Sequence, residues 1–311
     1  MRLLITGGFG HIGSRLLLYL GKLDYIKNIV VLDSMVTQRF TSLFNLPFDN
    51  KISVELGDAR ELSLNSWIFQ EKIDLIIHLA ALTEPSYSYG EPEKLFENNF
   101  EATSNIVNLC KLYGVPLIFP STTSVYSPKN TEGEVFESEP SLYGGNPYSI
   151  TKIAEEELIK SAAGLKFVIL RLATVFGKSP GIRFHTAVNK LCLQAALGKN
   201  LTVWTTALKQ MRPYLALGDL ESSINHIIKN SLYDSQIYNL VSTNSTIMDI
   251  ITIIENTLKE NVKLEFVDSE VMNNLSFAVS NLKFASTSFR FTGNLNEGIT
   301  ETLDLFKGVK R

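Results

Sequence analysis

The sequence has little cysteine, little histidine and no marked excess of either charge. Its two cysteines, Cys110 and Cys192, stand apart with no CxxC pair. That spacing excludes a disulfide framework and leaves small buried side chains in a reducing compartment as the expectation. The four histidines, His11, His78, His185 and His226, lack metal-ligand spacing, so no metal is expected. With 29 Lys+Arg against 32 Asp+Glu the formal net charge is −3. No local Lys/Arg cluster offsets this balance, which argues against nucleic acid as a partner. A pocket for a small anion needs only local charge and stays open. No run approaches the ~20 apolar residues of a membrane span. The opening segment Met1–Gly8 runs from a very short apolar stretch straight into glycines, unlike a signal peptide. A cytoplasmic protein without membrane contact is the expectation.

What remains is an ordinary globular composition. There are 311 residues, 45% apolar and 20% charged. At roughly 150 residues per domain this allows about two domains, or one large α/β unit. Short Val/Ile/Leu-rich runs recur along the first half, at Leu3–Thr6, Ile29–Leu32, Ile52–Leu56, Leu75–Leu79, Leu117–Phe119 and Phe167–Leu170. Each is bounded by Gly, Pro, Asn or Asp, and both faces are apolar, as in strands of a parallel sheet covered by helices. Helical patterns lie between them, at Ile12–Leu20, Glu93–Leu112 and Pro147–Lys160. This alternation predicts an α/β fold with a doubly wound parallel sheet, the Rossmann arrangement. After Gly177 the pattern loosens, with helices at Thr186–Leu197, Ile247–Leu258 and Leu295–Phe306 and strands at Tyr214–Leu217 and Tyr238–Val241. The expected division is a cofactor domain over 1–177 and a smaller mixed α/β substrate domain over 178–311. Segment 214–241 is expected to return strands to the first domain.

The first strand runs into Gly7-Gly8-Phe9-Gly10-His11-Ile12-Gly13, with Gly7, Gly10 and Gly13 spaced GxxGxxG. Glycines here permit a tight turn and close approach of backbone to a pyrophosphate. The helix beginning at His11 and Ile12 then offers free N–H groups to the phosphates. Asp33 ends the second strand, twenty residues after Gly13. An acid there accepts hydrogen bonds from the adenosine ribose hydroxyls and repels a 2′-phosphate, favouring NAD over NADP. The competing reading of Asp33 is a cap on the following loop. Asp58, after the third strand, suits the adenine edge or an ordinary turn. Tyr148 and Lys152 lie four apart on a predicted helix, hence on one face. An ammonium beside a phenol stabilises the phenolate and makes tyrosine a usable general base.

These motifs, in this order, resemble the extended short-chain dehydrogenase/reductase family of nucleotide-sugar epimerases, dehydratases and dehydrogenases. The resemblance runs from Leu3 to about Leu305. It also takes in His78-Leu79-Ala80-Ala81, Asn99-Phe100-Glu101-Ala102-Thr103 and Ser121-Thr122-Thr123-Ser124-Val125-Tyr126. Arg171-Leu172-Ala173-Thr174-Val175-Phe176-Gly177 and Arg212-Pro213-Tyr214 complete it. The resemblance implies an NAD cofactor and a catalytic trio of Thr122, Tyr148 and Lys152. Thr122 would bond the sugar oxygen, Tyr148 would take the proton, and Lys152 would tune Tyr148 and hold the nicotinamide ribose. It implies that Ala80, Ala81 and Asn99 belong to the cofactor site. Thr83, Thr123, Thr174, Arg183, His185 and Asn189 would belong to the substrate pocket, with Arg212 on the substrate diphosphate. For Arg212 a surface salt bridge is the competing reading, and for Arg183, His185 and Asn189 it is plain surface exposure.

Two departures narrow the activity. Dehydratases of this family carry an Asp-Glu pair after the catalytic Thr, where this chain has Thr123 and Ser124. The family's frequent Asn before Val-Tyr-Gly is Thr174. The resemblance therefore implies oxidation at a ring hydroxyl, at C4, most simply by a 4-epimerase, with a 4-dehydrogenase using the same residues. A nucleotide-diphosphate sugar and a homodimer built through a four-helix bundle are the implied partners. An NAD(H)-sensing binding protein and a methyltransferase are the readings from other classes, and neither accounts for an intact Tyr148 and Lys152.

Overall fold

In the first half, strands form where branched apolar residues run together and helices where they recur every three or four residues. The computed structural model describes residues 1–47, 50–83, 90–126, 134–139, 145–267 and 276–309. The strands β1 (Arg2–Thr6), β2 (Asn28–Asp33), β3 (Ile52–Leu56), β4 (Leu75–His78), β5 (Leu117–Thr122), β7 (Phe167–Leu172) and β11 (Gln236–Leu240) make one seven-stranded sheet. Its order is β11-β7-β5-β4-β1-β2-β3 and every pairing is parallel. β4 and β7 are buried at every position, the mark of a sheet covered on both faces. The chain steps outward from β1 to β3, then returns to lay β4 on the other side of β1.

Helices cover the two faces. On one, Leu16, Leu17 and Leu20 of α1 (His11–Leu20) share a core with Ile5, Val31 and Ile77. On the other, Ile106 and Cys110 of α2 (Pro92–Tyr113) and Ile159 of α3 (Pro147–Ser161) pack on Leu4, Ile76 and Phe119. Fully burying such a side chain contributes about 1.5–3 kcal/mol, so the sheet faces dominate stability. A third core lies in the C-terminal part and joins Phe176, Val188, Tyr214, Ile254 and Ile299. It is built from α4 (Ala187–Ala196), α6 (Ile247–Leu258), α8 (Leu295–Asp304) and a small sheet of β8 (Thr174–Phe176), β10 (Arg212–Ala216) and β12 (Thr243–Ser245). Two short pairs, β6 (Glu134–Val135) with β14 (Ala278–Val279) and β9 (Leu201–Trp204) with β13 (Leu264–Val267), and the short helix α7 (Leu282–Ala285) also form.

The structure differs from the sequence reading at 212–230. The strand expected at Tyr214–Leu217 forms as β10, but it pairs with β8 and β12 rather than with the large sheet. Only the later strand, Gln236–Leu240, returns to that sheet, beside β7. At Leu217 the chain turns directly into α5 (Leu217–Asn230), a helix absent from the sequence reading. Its buried Leu220, Ile224, Ile227 and Ile228 form a helical stripe against the α1 face. Among the described residues no helix is long and apolar enough to cross a membrane.

Candidate active site

A cleft of about 330 Å³ opens along the carboxyl ends of the strands, spanning β1, β2 and β4 and reaching β5 and β7. This is where the strand order reverses, between β1 and β4, and a parallel sheet leaves a crevice at such a point. Its walls carry the strand-terminal residues Asp33, His78, Thr122 and Leu172.

The glycine turn forms one end of the cleft. Gly7 has φ +66°, and a Cβ there would stand 2.6 Å from Ala80 N, so the turn packs hard on the segment after β4. A Cβ on Gly13 would lie 2.6 Å from the Gly8 backbone, which explains how closely α1 approaches the turn. Asp33 receives Phe9 N–H on Oδ2 at 2.9 Å and Met35 N–H on Oδ1 at 2.8 Å. Its carboxylate therefore caps its own loop and also lines the cleft, so the two readings of this residue coexist. His11 is buried, its Nδ1 shares a hydrogen bond with Ser179 Oγ at 2.8 Å, and its Nε2 has no partner among the described residues. Burial, then Arg183, Arg39 and His185, push its pKa down to about 3, so the ring is neutral. A helix start, a close-packed glycine turn and a cleft-lining acid at the next strand end fit a dinucleotide.

The other end holds Thr122, Tyr148 and Lys152. Tyr148 stands in the first turn of α3, which Asn146 caps by accepting Ser149 N–H at 2.9 Å, with Pro147 at the first helical position. Thr122 Oγ1 accepts Ser124 N–H at 3.1 Å, which fixes the hydroxyl at the strand end. Lys152 is 3% exposed, and its Nζ lies 5.9 Å from the Tyr148 ring centroid and 4.5 Å from that of Phe119. Nζ also pairs with Glu155 Oε2 at 3.1 Å. Burial pulls the Lys152 pKa down, but Glu155, then Tyr148 and Glu156, outweigh it and leave the pKa raised. His78 lies behind this group, Nδ1 on Thr6 Oγ1 at 2.7 Å and Nε2 on Thr103 Oγ1 at 3.2 Å. Burial and then Lys152 lower its pKa to about 3.

The cleft lining brings together Gly7, Gly10, His11, Ile12, Gly13, Asp33, Asp58, Ala80, Ala81, Thr83, Thr122, Tyr148, Lys152, Thr174 and Arg183. Asp58 is also held by Arg60, at 2.7 Å, so it is a turn residue as well as a wall. Asn99, Thr123, His185, Asn189 and Arg212 fall outside the lining. Asn99 is fully buried and bonds both Leu82 N and Leu82 O, so it shapes the wall from behind. Asn189 is also fully buried, accepting from Gly177 N at 3.2 Å and donating to Arg183 O at 3.0 Å, rather than lying on the surface. His185 accepts from Arg183 Nε at 2.9 Å. Arg212 makes no ion pair among the described residues; Gln210 Oε1 at 3.5 Å is its hydrogen-bond partner, and burial draws its pKa down to about 10. Sequence reasoning missed Arg39, which lines the cleft and donates to Gly181 O at 2.5 Å, and Thr186 on the same wall. It also missed Ser179, the partner of His11, because loop residues carry no periodic signal.

Comparison with known proteins adds a family. Residues 3–241 match the model of the NAD dependent epimerase/dehydratase family. The chain is 30% identical over 243 residues to a dTDP-D-glucose 4,6-dehydratase of Dictyostelium discoideum, covering 73% of this chain and 55% of that protein. It is 27% identical over 281 residues to the uncharacterized UDP-glucose epimerase YtcB of Bacillus subtilis (strain 168), covering 86% and 85%. A UDP-glucose 4-epimerase of Lacticaseibacillus casei is 32% identical over 210 residues, 64% of this chain and 60% of that one. The match thus spans less than two thirds of the dehydratase and of the Lacticaseibacillus epimerase. In fold the chain is similar to UDP-glucuronic acid 4-epimerase from Bacillus cereus, solved with UDP-glucuronic acid and NAD, with a TM-score of 0.89 at 23% identity over 100% of both chains.

Proposed function

The chain belongs to the NAD-dependent epimerase/dehydratase family, and from that premise we propose that it interconverts the C4 epimers of a nucleotide-diphosphate sugar. Gly7, Gly10, Gly13, the first turn of α1, Asp33, Ala80, Ala81 and Lys152 would hold the cofactor. When bound, NAD supplies a hydride acceptor and donor for the sugar carbon. Thr122 orients the C4 oxygen. Tyr148 takes its proton. The 4-keto sugar stays bound and turns, and Tyr148 returns the proton to the new hydroxyl. Arg212, a half-buried guanidinium without an ion pair among the described residues, would take the diphosphate.

One observation carries epimerisation over dehydration. Among the described residues that line the cleft, the carboxylates are Asp33 and Asp58, both on the β2–β3 side, away from Thr122 and Tyr148. Elimination of water needs an acid and a base at the sugar, and Thr123 and Ser124 are neither.

The test is a panel of UDP-, GDP-, dTDP- and CDP-sugars, with product stereochemistry read by NMR and cofactor reduction by absorbance. Inversion at C4 without net reduction of NAD is expected. A 4-keto-6-deoxy product, or stoichiometric reduced cofactor with free keto sugar, would overturn it. Tyr148→Phe should lower turnover by about 10²–10⁴-fold while NAD still binds, and near-normal turnover would remove Tyr148 as the base. The assembly proposed is a homodimer through α2 and α3. These helices pack side by side and leave Phe96 and Ile150 37% and 50% exposed. A monomer in analytical ultracentrifugation would overturn that part.

A further inference from the structure

The carboxylate beside Lys152 has no role in the reaction just described. Glu155 is fully buried on α3, one turn beyond Lys152. Its Oε1 accepts from Thr103 Oγ1 at 2.5 Å, and among the described residues its Oε2 has no hydrogen-bond partner beyond the ion pair with Lys152. A buried carboxylate without a cation is strongly disfavoured, so the two charges depend on each other.

The surroundings leave Lys152 to Glu155. Tyr148, Glu155 and Glu156 share its helix; His78 faces it from β4 and Phe119 from β5, while Thr103 of α2 meets Glu155. Glu156 is committed elsewhere. Arg171 of β7 takes it with Nε on Oε1 at 3.0 Å and Nη2 on Oε2 at 2.7 Å, and Ser121 Oγ donates to Oε1 at 2.5 Å. His78 is neutral and adds no second positive charge beside Lys152. Thr103 holds Glu155 and is itself tied to His78, whose other nitrogen meets Thr6 at the end of β1. The network runs from Lys152 beneath the cleft floor to the strand that carries the glycine turn.

We propose that Glu155 is a positioning residue: its carboxylate keeps Lys152 protonated and fixes where the ammonium stands beside Tyr148. The inference rests on the reading that Lys152 holds the cofactor ribose. Without Glu155 the remaining influence on Lys152 is chiefly burial, which favours the neutral amine. A neutral amine is a weaker donor to ribose hydroxyls.

The test is NAD binding by calorimetry from pH 6 to pH 10, on the full chain freed of nucleotide. Affinity in the parent should hold throughout this range, because Lys152 loses its proton only above it. In Glu155→Gln the break should move down into the range, by about one pH unit or more. Glu155→Asp, which keeps the charge but withdraws it, should move the break in the same direction by less, and it serves if the Gln variant folds poorly. A purely structural Glu155 would lower the melting temperature and leave the break in place. Variants whose affinity holds to pH 10 as the parent's does would overturn the proposal. A parent that binds no NAD at any pH would instead overturn the reading on which it rests.

Discussion

Lowering the pH from 7 to 5 should destabilise the protein by way of two neutral histidines beneath the cleft. His11 and His78 are 4% and 2% exposed, and burial is the main cause of pKa values near 3 in the folded protein. In the unfolded chain each returns to 6.5. Both folded values are the lower ones, so between pH 6.5 and 3 the unfolded chain binds protons that the folded chain refuses. Their effect on stability is nil above pH 6.5 and grows more unfavourable as pH falls below it. Each pH unit inside that window costs ~1.4 kcal/mol per group, or ~2 kcal/mol each by pH 5 and ~4 kcal/mol together. The assay is urea unfolding at pH 7, 6 and 5 with nucleotide removed, because a bound ligand adds its own stabilisation. His78→Gln keeps a donor and an acceptor toward Thr6 and Thr103 and cannot be protonated, so it should remove about 2 kcal/mol of the pH dependence between pH 7 and 5. A parent whose unfolding free energy changes by less than ~1 kcal/mol between pH 7 and 5 would refute the reasoning.

Three further predictions concern single residues. Asp33→Asn should weaken NAD binding and narrow the preference over NADP, measured by paired titrations; a parent that binds both equally would contradict the role given to Asp33. Gly13→Ala places a methyl 2.6 Å from the Gly8 backbone. It should cost about 1–3 kcal/mol in urea unfolding, and an unchanged midpoint would mean that the turn yields more easily than its packing implies. Arg171→Met leaves buried Glu156 without its cation and should cost about 3–5 kcal/mol, whereas Arg171→Met with Glu156→Gln should recover much of that loss.

The parts that could be read from sequence are those encoded in short spacings. GxxGxxG after an apolar run, an acid at the next strand end and Tyr/Lys one helical turn apart are local, and all these residues line the cleft. Residues that act from behind were harder. Asn99 and Asn189 are polar side chains in helices, and only tertiary packing shows that they hold Leu82 and Arg183 rather than face a ligand. Glu155 could not be distinguished from the neighbouring Glu156 and Glu157 without knowing which way α3 turns inward. The α5 helix was hidden because Tyr214–Leu217 ends a strand and starts a helix within one residue, and Gly218 reads as a breaker.

The strand order also bears on how the chain comes to be folded. β1 lies between β2 and β4, and Thr6 meets His78 across 72 residues of sequence. At ribosomal rates of about 5–20 residues per second, the opening strand therefore waits roughly 4–14 s for its second neighbour to be synthesised. Once β2 has been made, β1 has it on one side and an unpaired apolar edge on the other until β4 follows. The same long-range parallel pairing slows refolding from denaturant, because the loop must close before the contact is gained. The crevice that gives this protein its ligand site is thus also the seam that closes late, and a newly made chain is most prone to aggregate while that seam is open.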